Sequence, residues 1–307
     1  PAPIELANPV LTQGSDVFLQ PKNNPATPIQ EFNLTFEREL TKTMALSIGY
    51  VGTRGANVTA VTTTGGFGGD IATRITTLAN IGSSHYDSLQ VKLSSRPWHG
   101  LSYLAAYTFG KATDNSPGPF PGVGGSFRTT PAFANGLAPG LADFDVKHRF
   151  TFAGIYDFPR MKEGSAAARA VINGWQANSI ITIQDGSPFS VFGGFGFAEL
   201  VGNPAGNGSA SEWFNPNAFV PSNTVDQQSP RNFLRGPGIA NVDASIFRHF
   251  VVTERFGLEF RTELFNLFNT PQLGFPNNSC CGGTVGQITT TRLNTERQIQ
   301  FALRMTF

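Results

Sequence analysis

The sequence is short of charge. Asp, Glu, Lys and Arg make up only 14% of its 307 residues, against about a quarter in an ordinary soluble domain, so little is available to solvate a water-facing surface. Its 22 basic and 21 acidic side chains leave a net charge of +1, which removes the electrostatic footprint of a nucleic-acid binder. Long apolar runs are also missing. Mean hydropathy is -0.11, and no uninterrupted stretch approaches the ~18 residues of a transmembrane helix. A membrane-spanning β-barrel stays open, because its strands hide their hydrophobicity by alternation. The two cysteines, Cys280 and Cys281, are adjacent and give neither a disulfide framework nor a zinc pattern. A vicinal disulfide, or a bond to a loop outside this sequence, are the fates open to them in an oxidising setting. The chain starts at Pro1 without an initiator Met, and PAPIELANPV has no basic region followed by an apolar one, so it reads as a processed product or a piece of something longer.

What is plentiful is turn formers and rings: 34 Gly, 21 Pro and 28 Phe. The strongest pattern is strict period-two alternation. Phe32, Leu34, Phe36, Arg38 and Leu40 share one face against Glu31, Asn33, Thr35, Glu37 and Glu39. After a turn at Thr41 and Lys42, Met44, Leu46, Ile48 and Tyr50 alternate with Ala45, Ser47 and Gly49. Further stretches run through Leu89–Leu93, Leu101–Phe109, Lys147–Asp157, Trp175–Gln184, Val242–Phe250, Phe256–Leu264 and Gln298–Phe307. These predict nine strands of roughly 10 to 13 residues, nearer the ~9 to 11 that cross a membrane than the ~5 to 6 usual in soluble sheets.

The links alternate in length. Those at 41–42, 97–100, 159–173 and 251–254 are short or moderate, whereas those at 53–85, 111–144, 186–240 and 269–286 are long and rich in Gly, Pro, Asn and Ser. Long loops therefore leave one rim and short turns the other, the asymmetry of an outer-membrane barrel with short periplasmic turns and long extracellular loops. Aromatics at the strand ends fall into two girdles: Trp98, Phe158, Trp175, Phe256 and Phe307 near the short-turn rim, and Tyr50, Tyr107, Phe109 and Phe268 near the other, as membrane interfaces favour. An Arg or Lys turned to lipid near the midplane costs roughly 2 to 4 kcal/mol. The charges Glu37, Lys147, Arg149, Glu259, Arg261, Glu263 and Arg304 are therefore expected on the lumen side, with Phe256, Leu258 and Phe260 toward lipid. Arg38 breaks the rule two residues from its strand end, where it can snorkel. Nine strands with termini on opposite sides cannot be a whole bacterial barrel, whose strand number is even. The expectation is the carboxy-terminal part of a larger one, residues 1–27 being the tail of an extracellular loop and 28–307 strands and loops. A hairpin over Thr289–Gln300 would raise the count to ten.

The segments YDSLQVKLSSRPWHGLSYLAAYTFGKATD (Tyr86–Asp114), DFDVKHRFTFAGIYDFP (Asp143–Pro159), GWQANSIITIQDGSPFSV (Gly174–Val191), RGPGIANVDASIFRHF (Arg235–Phe250), FRTELFNLFNTPQLGFP (Phe260–Pro276) and RQIQFALRMTF (Arg297–Phe307) together resemble the barrel of Oar-like TonB-dependent outer-membrane receptors. The resemblance runs from about Pro28 to the end and keeps the family's order. It implies an all-β, antiparallel transmembrane barrel of 22 strands, of which these are the last nine, in the outer membrane of a Gram-negative bacterium. It also implies a parent with a signal peptide, a regulatory-like β-sandwich and a plug carrying a TonB-contacting segment, none of which has a counterpart here. Implied partners are that plug, the TonB complex through it, outer-membrane lipids and lipopolysaccharide, and the assembly machinery, which would read the terminal Phe307. The implied function is energised uptake of a scarce chelate, glycan, peptide or protein; a passive pore, a barrel-anchored adhesin and a soluble β-sandwich are the competing readings.

Catalytic signatures are incomplete. The sequence has no H-E-x-x-H, G-x-S-x-G, G-x-G-x-x-G or P-loop, so no enzyme and no cofactor are expected. His85, His99, His148 and His249 are scattered. The best metal candidates are Asp143, Asp145 and His148, whose oxygens suit Ca²⁺, against a reading as solvated or ion-paired mouth residues. GGFGGD (Gly65–Asp70) resembles one copy of a calcium repeat that works only in stacks, and is read as a loop. Glu259, Arg261, Glu263 and Arg304 are expected to form a cross-strand charge network. The loops FGGFGFAEL (Phe192–Leu200) and SEWFNPNAFV (Ser211–Val220) carry the aromatic and amide side chains of a recognition surface.

Overall fold

In a computed structural model of the chain, which describes residues 16–64, 74–115, 137–194, 196–253 and 256–307, alternation becomes a single antiparallel meander. Its wall strands are β1 (Ile29–Glu39), β2 (Met44–Thr64), β3 (Arg74–Trp98), β4 (Leu101–Asp114), β5 (His148–Asp157), β6 (Trp175–Gln184), β7 (Ile239–Thr253), β8 (Phe256–Phe265) and β9 (Gln298–Thr306). Each pairs with its sequence neighbours, so β1 and β9 stand at the two ends of the sheet. The nine expected strands are all present. Among the described residues the proposed Thr289–Gln300 hairpin is absent: β9 begins at Gln298 and Thr291 makes only an isolated bridge to Leu273.

Register carries the two-faced pattern across the wall. One row of directly opposed residues reads Phe36, Ile48, Val91, Tyr107, Phe150, Ile183 and Ala240, while the adjacent row reads Glu37, Ser47, Lys92, Ala106, Thr151, Thr182 and Asn241. A one-residue slip anywhere would exchange the faces. Ring-over-glycine packing fills gaps in the apolar face: Phe32 lies opposite Gly52, and its ring occupies the space a side chain there would need. The β3–β4 hairpin closes through His99 and Gly100, both at positive φ (48° and 84°), the two-residue turn whose twist matches the strands. Gly100 is obligatory there, since a Cβ would lie 2.4 Å from the carbonyl oxygen of Asp157.

The long links differ from expectation. Within the expected loop 53–85, residues 53–64 and 74–85 are strand: β2 is 21 and β3 25 residues long, and they stay paired from Met44–Ser95 out to Thr64–Ile75. Backbone hydrogen bonding continues beyond the span because Thr and Val recur in that stretch and favour extended backbone. The GGFGGD segment lies outside the described residues, as do residues 1–15. What is described of the amino-terminal tail is attached to this hairpin. Asp16–Leu19 runs parallel to Arg74–Thr77, and Asn80 donates to the Pro25 carbonyl at 2.8 Å while Asn57 donates to that of Ala26 at 3.0 Å. The link 159–173 contains a short helix, α1 (Ala166–Ile172), where Ser165 caps the first turn by accepting from the Ala168 amide at 3.2 Å.

The largest departure is in 186–240 and 269–286. Together these build a cap with its own core: Phe189, Val191, Ala198, Phe214, Ala218, Phe219 and Val285 are buried together, with Trp213, Phe233 and Phe275 against them. Short pairs such as Phe192–Gly193 with Gly196–Phe197 and Ala205–Ser209 with Glu212–Phe214 frame it. Among the described residues the wall has no comparable core, and its apolar face is open: Leu34, Phe36, Ile183, Phe301 and Leu303 are all exposed.

Candidate functional site

The cap meets the wall where β4 ends and β5 begins. Here Asp114, Asp143 and Asp145 converge on Arg231, Asn232 and Arg235. Arg231, 5% exposed, pairs with Asp114 and donates to the Leu141 carbonyl at 2.9 Å. Asn232 donates to Asp143 Oδ1 at 2.5 Å and to the same Leu141 carbonyl at 2.8 Å. Asp145, 1% exposed, accepts from the Ala112 amide at 2.6 Å and pairs with Arg235. A carboxylate buried this deeply is tolerable only when paired and hydrogen-bonded, and the cap supplies the partner. Gly140 fits against Arg231, whose carbonyl oxygen would lie 2.7 Å from any Cβ placed there.

This geometry parts the three metal candidates. Asp143 is engaged by Asn232, Asp145 by Arg235 and Ala112, and His148 Nδ1 meets the Tyr107 hydroxyl at 2.7 Å while its ring lies tilted 5.0 Å from that of Phe109. No group of three His, Cys, Asp or Glu among the described residues is arranged to hold a metal ion. Asp145 is ion-paired to Arg235 and Asp143 is hydrogen-bonded to the neutral Asn232 amide, so both aspartates serve as anchors for the cap.

Beneath the 142–147 turn a concavity of about 560 Å³ opens on the polar face, lined among others by Tyr86, Gln90, Thr108, Phe144 and Arg149. Its size falls within the roughly 300 to 1,000 Å³ of small-molecule sites. A second, of about 460 Å³, lies between cap and the far strands, bordered by Asp243, Asn266, Gln272, Arg292, Glu296 and Gln298. Burial pushes the Arg292 guanidinium below its ordinary value, and the side chain donates to the Leu273 and Pro237 carbonyls at 3.2 and 2.8 Å.

The remaining charges take these positions. Arg261 lies between Glu259 at 3.0 Å and Glu263 at 3.5 Å, with its guanidinium 5.5 Å from the Phe247 ring, and Arg304 stands directly opposite Glu259 in the ladder. Glu37 shares its row with Ser47 and Lys92. Arg149 is in β5, whereas Lys147 precedes the strand and accepts at its carbonyl from Gly110. Among the aromatics, Trp98 stacks edge-on with His99 at 4.5 Å, Tyr156 with Phe158 at 5.1 Å and Trp175 with Phe260 at 6.4 Å. Phe256 opens β8, and Tyr50 donates its hydroxyl to Asp87. Phe268 projects from the 266–269 turn, and Phe307 is 99% exposed just past β9. Cys280 and Cys281 are joined as a vicinal disulfide at the cap's edge.

Sequence reasoning gave no role to Arg231, Asn232, Arg235 or Arg248. Arg248 carried a signal: it occupies an apolar-face position in the alternation of Val242, Ala244, Ile246 and Phe250, and an unexplained charge on that face implies a partner. The other three lie in a Gly- and Pro-rich stretch with no period to read.

A family model described as an outer membrane beta barrel domain matches residues 1–300. No curated protein matches the chain. Among solved structures, the outer membrane transporter YddB from Escherichia coli is similar at 10% identity and a TM-score of 0.56, over 95% of this chain and 34% of its own. The siderophore receptor PiuA from Acinetobacter baumannii is 12% identical with a TM-score of 0.45, over 91% of this chain and 28% of its own. The copper transporter OprC is 10% identical with a TM-score of 0.44, over 91% and 32%. This chain thus spans between 28% and 34% of the length of those three. An antiparallel meander with an open apolar face, a polar opposite face and long loops at one rim is what this family builds into a bilayer, and the chain belongs to the outer membrane β-barrel domain family of Gram-negative outer membranes.

Proposed function

We propose that this chain is the carboxy-terminal barrel segment of a TonB-dependent outer-membrane transporter of the Oar-like group, taking up a scarce substrate. The observation that carries the reading is the fold match over 95% of the chain to about a third of a named outer membrane transporter, together with a polar wall face on which Lys92, Arg149, Arg261 and Glu263 lie. On this reading the polar face lines the lumen, residues 1–27 belong to an extracellular loop, and a plug of the same parent chain fills the barrel and contacts the TonB complex. The wall and loops guide substrate and carry out no chemistry on it, with Phe307 as the mark read by the assembly machinery. The resemblance of the six motif segments supports the subfamily, and the mouth concavity over Arg149 and Phe144 suits a small substrate.

The test is uptake by the native bacterium with the gene intact or deleted, with and without an uncoupler of the proton-motive force. Gene-dependent uptake abolished by the uncoupler is expected. Uptake that survives the uncoupler would instead favour a passive pore.

A further inference from the structure

Helix α1 sits at the rim where the 41–43 and 99–100 turns also lie, and it is tied to a particular face of the wall. Its last carbonyls, those of Ala170 and Val171, accept from the guanidinium of Arg248, and Val171 also accepts from Trp175 Nε1 at 3.0 Å. Arg248 stands opposite Trp175 on one side and Phe260 on the other, which places both donors in the apolar, lipid-side set. Arg248 is only 5% exposed, with its guanidinium 4.2 Å from the Phe250 ring and 5.6 Å from that of Trp175. Lipid could not satisfy that cation. The unpaired carbonyls at a helix end and the faces of two rings can.

The segment before the helix is folded back onto its end. Asn173 accepts from the Met161 amide at 2.6 Å and donates to the Met161 carbonyl at 3.0 Å, and Arg169 donates to the Lys162 carbonyl at 3.3 Å. This compact element presents two kinds of side chain outward. Val171 is 65% and Ile172 46% exposed, with Met161 and Phe158 also open. On the same element Arg160, Lys162 and Arg169 are exposed. Over 158–174 the sequence holds these three cations and a single acid, Glu163. None of the three cations makes an ion pair among the described residues. Exposed apolar side chains and three exposed cations on one short element, held against the lipid side of a wall at its aromatic girdle, match the boundary between acyl chains and phosphates.

We propose that the α1 element is a binding site for anionic phospholipid headgroups of the periplasmic leaflet. Val171, Ile172 and Met161 enter the acyl boundary, while Arg160, Lys162 and Arg169 take the phosphates. The site goes beyond the transport reading and does not depend on it.

The experiment uses the whole polypeptide as its cell makes it, reconstituted in nanodiscs of phosphatidylethanolamine with or without phosphatidylglycerol, with retained lipids counted by native mass spectrometry. Preferential retention of phosphatidylglycerol is expected. The variant carrying Arg160→Gln, Lys162→Gln and Arg169→Gln should lose that preference by about fivefold for each cation removed. Val171→Ser with Ile172→Ser should lower retention of both lipids. Heat-modifiable migration reports whether each wall is folded, and Arg169→Gln alone serves if the triple variant fails that check. Unchanged phosphatidylglycerol preference in the folded cation variant would overturn the site. Displacement of the lipid by soluble glycerol 3-phosphate would do so too, since it would show an anion site indifferent to the bilayer.

Discussion

The wall and the cap of this chain are built on opposite principles. The wall, β1–β9, is held by a continuous backbone ladder and leaves large apolar side chains such as Phe301 and Leu303 open, because its solvent is lipid. The cap turns its rings inward around Val191 and Phe214, as any water-soluble fold must. The junction is polar: Asp114, Asp143 and Asp145 on the wall side, Arg231, Asn232 and Arg235 on the cap side. The difference teaches that two long loops at one rim can share a small core of their own, docked onto the wall through polar contacts.

The largest expected effect tests that independence. Phe214→Ala should cost about 3 to 5 kcal/mol of cap stability through lost burial and a cavity. Proteolysis should then cut between 186 and 240 while the wall keeps its heat-modifiable migration; loss of both together would merge the two regions into one cooperative unit. Next comes the wall's sidedness. Leu303→Arg, on the apolar face, should cost roughly 2 to 4 kcal/mol, measured by urea unfolding in bilayers, whereas Ala302→Arg on the neighbouring polar position should cost little. A reversed ranking would exchange lumen and lipid faces. Asp145→Asn removes the charge that pairs with Arg235 and should loosen the junction by about 2 to 3 kcal/mol, seen as faster amide exchange at Ala112. Asp143→Asn keeps an acceptor for Asn232 and should cost no more than about 1 kcal/mol. The smallest effect concerns the cap's edge: Cys280 and Cys281 should label with a thiol reagent only after reduction, with no change in the wall.

How much of this could be read from sequence follows the same division. The wall was legible because alternation such as Phe32, Leu34 and Phe36 against Asn33, Thr35 and Glu37 encodes register directly in a period of two. The cap was not, since its core draws on Phe189, Phe214 and Val285, residues too far apart and too irregularly spaced for any period to join them. The extension of β2 and β3 was hidden because Thr and Gly residues there serve turns and strands alike. The junction was half legible: Asp143, Asp145 and His148 stood out as chemistry-bearing residues, but the cap partners of the two aspartates lie some 90 positions away, as in the Asp145 and Arg235 pair, and only the tertiary fold brings them together.

The two ends of the cap's longer segment come almost into contact: Gly236 donates to the Ser187 carbonyl at 3.0 Å, and a side chain on Gly186 would collide with the Gly236 backbone. For assembly of the meander this matters most at β6 and β7. Every other neighbouring pair of strands can zip from a nearer start, but this pair must find its register across residues 185–238, and closing a long flexible segment is an entropic barrier. Condensation of the 187–236 part of the cap around Phe189, Phe214 and Phe219 before β7 arrives turns that excursion into the equivalent of a tight turn, so this part acts as a splint for strand pairing. Phe214→Ala should accordingly slow β6–β7 pairing during refolding into detergent, and replacing 187–236 with a short Gly-containing turn should restore the rate; equal rates in all three proteins would show that the cap folds only after the wall.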